Sequence, residues 1–333
     1  MEHPVKMRVA RYTRNGDPSD VIEMVDEETP PPQRGEVTIR MEAAPIHLAD
    51  LYCMSGKERF GVPLPATPGF EGVGRISAVG EGVSGWSVGD RVFPPLACGA
   101  WRDELTVDAA NLLPAPAGDA VQLSLLPINP PTSYLILEDY GDLTQGDWII
   151  QNAANSNCGR YLIELAQLRG IKTVNVVRRP ELVDELKALG GDIVLVDGDD
   201  LSDRVLQATG GVRAKLGVDA VNGMATARIA SCLADGSTVL AYGMLTDEPC
   251  MIPPDVAFLH DIRLEGFYTV RQFGKRTPEA VREIYTELAR LFESGTLTAK
   301  IAATYSLDNV RDAVIHAARR GAERDGKIIL TME

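Results

Sequence analysis

Between Trp148 and Tyr268 the chain alternates short apolar runs with helical stretches, and this alternation limits the fold more than any other feature. Trp148-Ile149-Ile150-Gln151 reads as a strand, and Gly159 to Gln167 repeats apolar residues at helical spacing. A strand over Thr173 to Val177 follows, then a helix opened by Pro180 and closed at Gly190-Gly191, then a strand over Ile193 to Val196. The pattern continues through a strand at Val218 to Val221, a helix over Ala225 to Leu233, and strands at Thr238 to Ala241 and Ile262 to Tyr268. Short buried strands separated by helices imply a parallel, doubly wound sheet covered on both faces.

The first hundred residues differ. Val37 to Met41, Gly72 to Ile76, Asp90 to Phe93 and Glu104 to Val107 are short β-type runs between Gly and Pro turns, which suggests a small β-rich domain. A helix over Pro278 to Ser294 and a β-like Ile328 to Leu330 come after the α/β segment. One insertion of the α/β unit into the β-rich domain explains that order. The expected division is a β-rich domain over 1–125, completed by 270–333, around a dinucleotide-type domain over 126–269.

At 333 residues, two cores are expected. The net charge of −14 disfavours a nucleic-acid surface. No apolar run is long enough to span a bilayer, and no secretory or import leader is evident. The five cysteines are scattered and never form a CxxC pair, so reduced thiols in a cytoplasmic compartment are expected.

The segment Asn152-Ala153-Ala154-Asn155-Ser156-Asn157-Cys158-Gly159 joins the first strand to its helix, where a dinucleotide fold puts its phosphate loop. Small residues let the backbone approach a pyrophosphate at the helix N-terminus. Asn155 and Ser156 can donate side-chain hydrogen bonds, Asn157 tolerates a left-handed backbone, and Cys158 and Gly159 open the helix. Only Gly159 remains of the usual glycines, so a polar turn stays open as an alternative. About 20 residues beyond such a loop an NAD-type domain carries an acid for the ribose diol. Here the strand ends Val177-Arg178-Arg179, and two guanidiniums suit a 2′-phosphate, hence NADPH. Tyr242 and Gly243 follow a parallel strand and should face the cofactor at its carboxyl edge.

Asn152 to Ser156, Thr173 to Arg178, Ala44-Pro45-Ile46, Gly266-Phe267-Tyr268 and Lys327 to Met332 resemble the mitochondrial-type 2-enoyl thioester (trans-2-enoyl-CoA) reductases of the medium-chain dehydrogenase/reductase superfamily. Thr67-Pro68-Gly69-Phe70-Glu71-Gly72 and Gly89-Asp90-Arg91-Val92 match the wider superfamily pattern. The resemblance implies a GroES-like catalytic domain, a Rossmann domain, and a homodimer joined through Rossmann sheet edges. It also implies that Asn129 and Thr132 border the nicotinamide, that Lys327 lies near the cofactor phosphate, and that Phe267 and Tyr268 flank the nicotinamide or line the substrate pocket.

The first domain departs from those reductases. Glu58 occupies the position matching their catalytic tyrosine, while Tyr52-Cys53-Met54-Ser55-Gly56 resembles quinone oxidoreductases. Tyr52, in the segment that lines the cleft in relatives, becomes the candidate proton donor, with Glu58 as a second source if burial raises its pKa.

The alcohol dehydrogenases of the superfamily hold zinc with Cys, His and Cys, and the matching positions here are His47, Phe70 and Asn129. A lone histidine cannot make a tetrahedral site, so no metal is expected. Hydride delivery from NADPH to an enone, an enoyl thioester or a quinone fits what remains, with a non-catalytic NADPH-binding protein as the alternative of another class.

Overall fold

The computed structural model describes residues 6–57 and 61–332, and the chain divides into two compact units. One comprises 1–128 with 282–333, the other Asn129–Val281. The chain is mixed α/β, with a GroES-like β-rich unit and a parallel Rossmann sheet.

In the first unit Glu36–Pro45 is the central strand of a seven-stranded sheet. It pairs antiparallel with Val73–Val79, with Glu104–Asp108 and with Lys327–Thr331. Ile301–Ser306 then pairs parallel with Lys327–Thr331. The alternation Val37, Ile39, Met41 and Ala43 supplies one fully buried face, which meets Ile76, Val92, Trp101, Ile328 and Leu330. Helix α1, Leu48–Ser55, ends in a left-handed Gly56 and buries Leu51 and Met54 in the same core.

The second unit carries a six-stranded parallel sheet of β1 Trp148–Gln151, β2 Lys172–Val177, β3 Ile193–Val196, β4 Ala214–Asp219, β5 Leu233–Ala241 and β6 Arg263–Gly266. Strand order is β3-β2-β1-β4-β5-β6, so the winding reverses between β1 and β4. That switch point opens a crevice outside the carboxyl ends of the strands. Ile149, Ile150, Val174, Val176, Leu216, Val218, Val239 and Leu240 are buried in the inner strands, as expected where both faces are covered.

One local expectation is corrected, and one proline-rich segment is helical. The strand expected at Val218 to Val221 is observed at Ala214–Asp219, because Asp219 turns the chain by accepting from the backbone N–H groups of Val221 and Asn222. The Asn129-Pro130-Pro131 segment, readable as a crossover loop, begins helix α2, Asn129–Asp139. Prolines are tolerated in a first helical turn, where the missing N–H would have had no intrahelical partner.

Candidate functional site

The loop after β1 is built from the residues named for it. Ser156 caps α3, Asn157–Leu168, accepting at its Oγ from the Gly159 N–H at 3.1 Å. A Cβ at Gly159 would lie 2.7 Å from the Ala154 carbonyl oxygen, so only glycine lets loop and helix pack this closely. The left-handed residue is Ala153, with φ +47°, and not Asn157, which Ser156 draws into the helix. Asn157 is buried in the first helical turn with its Nδ2 without a partner among the described residues, and Asn155 is half-buried in the turn. Cys158 is buried, its carbonyl and Sγ meeting Ser133 Oγ at 2.8 and 3.2 Å.

Buried polar groups hold this loop from beneath. Gln151 Nε2 donates to the Gly159 carbonyl at 2.9 Å and to Asn175 Oδ1 at 2.8 Å. Asn152 Nδ2 donates to Asp219 Oδ1 at 2.6 Å, and Asn152 Oδ1 accepts from the Ala220 N–H at 2.8 Å. The two strands flanking the switch point are thereby tied together at their carboxyl ends. The sequence reading missed Gln151 and Asp219; polar residues at the carboxyl end of otherwise apolar strands were the available signal.

At the end of β2, Arg178 is exposed, and among the described residues no ion pair engages it. Arg179 is half-buried and faces Glu181 at 3.4 Å. Beyond β5, Tyr242 neighbours the loop: burial raises its phenol well above the ordinary range, and Ser156 and Cys158 both act on it. A Cβ at Gly243 would meet the Ala220 backbone at 3.0 Å. Thr132 Oγ1 is buried at 2.6 Å from Thr269 Oγ1, and Asn129 Nδ2 is buried without a partner among the described residues. Phe267 is buried against the Tyr140 ring, edge-on at 5.9 Å, while Tyr268 is exposed.

The first unit holds a separate cluster. His47 Nε2 lies 2.6 Å from Glu71 Oε1, and His47 Nδ1 lies 2.9 Å from Lys327 Nζ. Glu71 is fully buried. Asp50 positions the group: its Oδ2 accepts from the His47 N–H at 2.8 Å and its Oδ1 from the Gly69 N–H at 2.9 Å. Gly69 has φ +116°, and a Cβ there would strike the Ala100 N at 2.5 Å. Burial raises Asp50 to about 7 and Glu71 well above the usual carboxylate range, Lys327 opposing both. Burial, with the Lys327 charge, holds His47 well below the usual imidazole range. Tyr52 is half-buried on α1, and Glu58 lies outside the described residues.

Two family models match: the alcohol dehydrogenase GroES-like domain over residues 33–117, and the zinc-binding dehydrogenase domain over residues 158–288. The human mitochondrial enoyl-[acyl-carrier-protein] reductase is 31% identical over 93% of this chain and 85% of its own length. The Caenorhabditis elegans counterpart is 36% identical over 80% of this chain and 78% of its own length. The chain belongs to this family of medium-chain dehydrogenases/reductases. A solved complex of Etr1p with NADP and crotonyl-CoA superposes with a TM-score of 0.87 at 26% identity, covering 98% of this chain and 100% of that one. A Bacillus thuringiensis protein named as an NADPH:quinone reductase superposes with a TM-score of 0.91 at 26% identity, covering 99% of this chain and all of the other. The chain is therefore a nicotinamide-dependent reductase of the medium-chain type. Membership corrects the expected cytoplasmic location, since the curated relatives are mitochondrial proteins in human, rat, C. elegans and Arabidopsis thaliana. Scattered reduced thiols do not separate the cytoplasm from another reducing compartment. No helix among the described residues is long and apolar enough to cross a membrane.

Proposed function

We propose that this chain is a zinc-independent, NADPH-dependent enoyl reductase that adds hydride to the β-carbon of an α,β-unsaturated carbonyl compound, a 2-enoyl thioester. The observation that carries this reading is likeness over nearly the whole chain to the mitochondrial enoyl reductases, combined with the Arg178-Arg179 pair at the end of β2.

The residues present fit the cofactor. The glycine-tight turn at Gly159, the capped N-terminus of α3 and the unpartnered Asn157 Nδ2 suit a pyrophosphate. Arg178 and Arg179 suit a 2′-phosphate. Thr132, Asn155, Ser156, Cys158, Tyr242, Gly243, Phe267, Tyr268 and Lys327 complete the proposed cofactor-binding set. Bound NADPH supplies the hydride. Asn129 is the proposed donor to the carbonyl oxygen that gains negative charge, a reading supported by its buried Nδ2, unpartnered among the described residues. The Tyr52 phenol is the proposed source of the proton that the α-carbon then takes up.

A catalytic zinc does not fit this chain. The matching positions present one imidazole, one phenyl and one carboxamide, and the imidazole already faces Glu71 and Lys327. We also infer a homodimer, supported by an exposed β6 edge, Arg263–Gly266, with Phe258, Leu259 and Leu264 exposed beside it. The likeness to the B. thuringiensis protein favours quinone reduction as the second reading. NADPH oxidation with crotonyl-CoA, measured beside a simple quinone, tests the proposal: thioester turnover is expected, and turnover of the quinone alone overturns it.

A further inference from the structure

The Lys327, His47 and Glu71 side chains form one unbroken hydrogen-bonded line from a half-buried amine to a fully buried carboxyl group. An imidazole that joins two partners through its two nitrogens can pass a proton along without ever becoming charged. We propose that Lys327, His47 and Glu71 are a proton relay that supplies the proton consumed in the reduction, with Glu71 as its buried store. The proposal rests on the reading that the chain reduces an activated alkene or a quinone.

The steps balance. In one form Glu71 is a carboxylic acid, His47 carries its proton on Nδ1, and Lys327 is an amine. Glu71 gives its proton to Nε2 while Nδ1 gives its own to Nζ. Glu71 is then a carboxylate, His47 carries Nε2–H, and Lys327 is an ammonium. Net charge is zero before and after, so the shift adds no net charge to a buried site. The Tyr52 phenol gives its proton to the anion that hydride addition leaves on the acceptor, the ammonium makes good that proton on the Tyr52 oxygen, and a proton from water returns at Lys327. Only N–H and O–H bonds change.

The surroundings suit this exchange. Asp50 on α1 fixes the His47 backbone and the turn that carries Glu71, so those two groups keep their spacing. Burial favours the neutral carboxyl form of Glu71, and Asp50 adds to that preference. Lys327 opposes it, which brings the two forms closer in energy. Tyr285, from the helix Pro278–Glu293, is the phenol on which Glu71 acts, and burial keeps it protonated. Asp50, Tyr285, Tyr12, which Asp50 acts on, and the three relay groups are among the titratable side chains whose charges meet here.

The test follows the ring nitrogens of His47 by 15N NMR of histidine-labelled protein, alongside kcat and its solvent isotope effect. Wild type, Glu71→Gln, Glu71→Asp and Lys327→Met are compared. The relay predicts wild-type nitrogens averaged between protonated and unprotonated values, and one locked tautomer in both Glu71→Gln and Lys327→Met. It also predicts that, at saturating NADPH, kcat falls at least tenfold in those two variants at nearly constant acceptor KM, with a larger solvent isotope effect. Glu71→Asp should recover part of the loss. A single fixed tautomer in wild type that neither variant alters, or unchanged kcat in Lys327→Met, overturns the relay. Lys327 is half-buried, so its variant carries the test if Glu71→Gln fails to fold. Failure of the substrate reading shows separately, as wild-type protein that turns over neither acceptor; the NMR comparison then still decides the relay.

Discussion

Gln151 donates from Nε2 to Asn175 Oδ1 at 2.8 Å, a buried amide pair beside the buried Ile149, Ile150, Val174 and Val176 of the parallel sheet. The same Nε2 meets the Gly159 carbonyl, so the pair links β1, β2 and the start of α3. Gln151→Leu removes the donor and strands two buried acceptors. A loss of about 1–3 kcal/mol is expected in urea unfolding. Weaker NADPH binding should accompany it, read by nicotinamide fluorescence.

Arg178 is expected to discriminate between the two nicotinamide cofactors. A charge-assisted hydrogen bond is worth about 1.5–3 kcal/mol, and each 1.4 kcal/mol is about tenfold in affinity. Arg178→Ala should therefore weaken NADPH roughly tenfold to a hundredfold while leaving NADH nearly unchanged. Titrations with both cofactors check this, and equal losses would remove the 2′-phosphate role.

Glu164 on α3 makes stability depend on pH. Burial raises its carboxyl to about 8, with Arg160 opposing, and its Oε2 has no partner among the described residues. The folded chain thus keeps a proton that the unfolded chain releases above its ordinary value near ~4.3. The stability contributed by the protonated form is complete below that value and is lost as pH rises toward 8. Glu164→Gln should leave stability at pH ~4 nearly unchanged and gain about 1–3 kcal/mol on wild type above pH ~8, measured by denaturant melts.

The β6 edge supports a prediction about assembly. Phe258 is 73% exposed and Leu264 44%, in a segment that ends the sheet with unpaired strand positions. Phe258→Ser with Leu264→Glu should convert a dimer to a monomer in sedimentation, with the Rossmann unit still folded by circular dichroism. An unchanged sedimentation coefficient would assign the interface elsewhere.

The alternation of strand and helix was readable because parallel strands buried on both faces are mostly apolar, as Ile149-Ile150 and Val176-Val177 are. The Ser156 cap and Gly159 were readable for the same local reason: one turn needs one kind of residue. Strand ends failed where a side chain redirected the backbone, as Asp219 does at the end of β4. The triad of His47, Glu71 and Lys327 was not legible as a unit. Its members lie up to 280 positions apart, and no local periodicity records a contact made only when distant strands pair. Glu71 was visible within a family pattern, but its burial beside an imidazole was not.

The strand Lys327–Thr331 lies between Ile301–Ser306 and the central Glu36–Pro45, so the first unit's sheet has a gap until synthesis has passed the entire Rossmann segment. On the ribosome, the inserted unit has every strand it needs long before the unit that encloses it in sequence. The early β-rich half must therefore wait with Ala43–Pro45, the end of the central strand, open to pairing with another nascent chain. Lys327 arrives on the same strand that closes this flank. A half-made sheet accordingly holds His47 and Glu71 without their amine, and the step that seals the fold is also the step that completes the line of three.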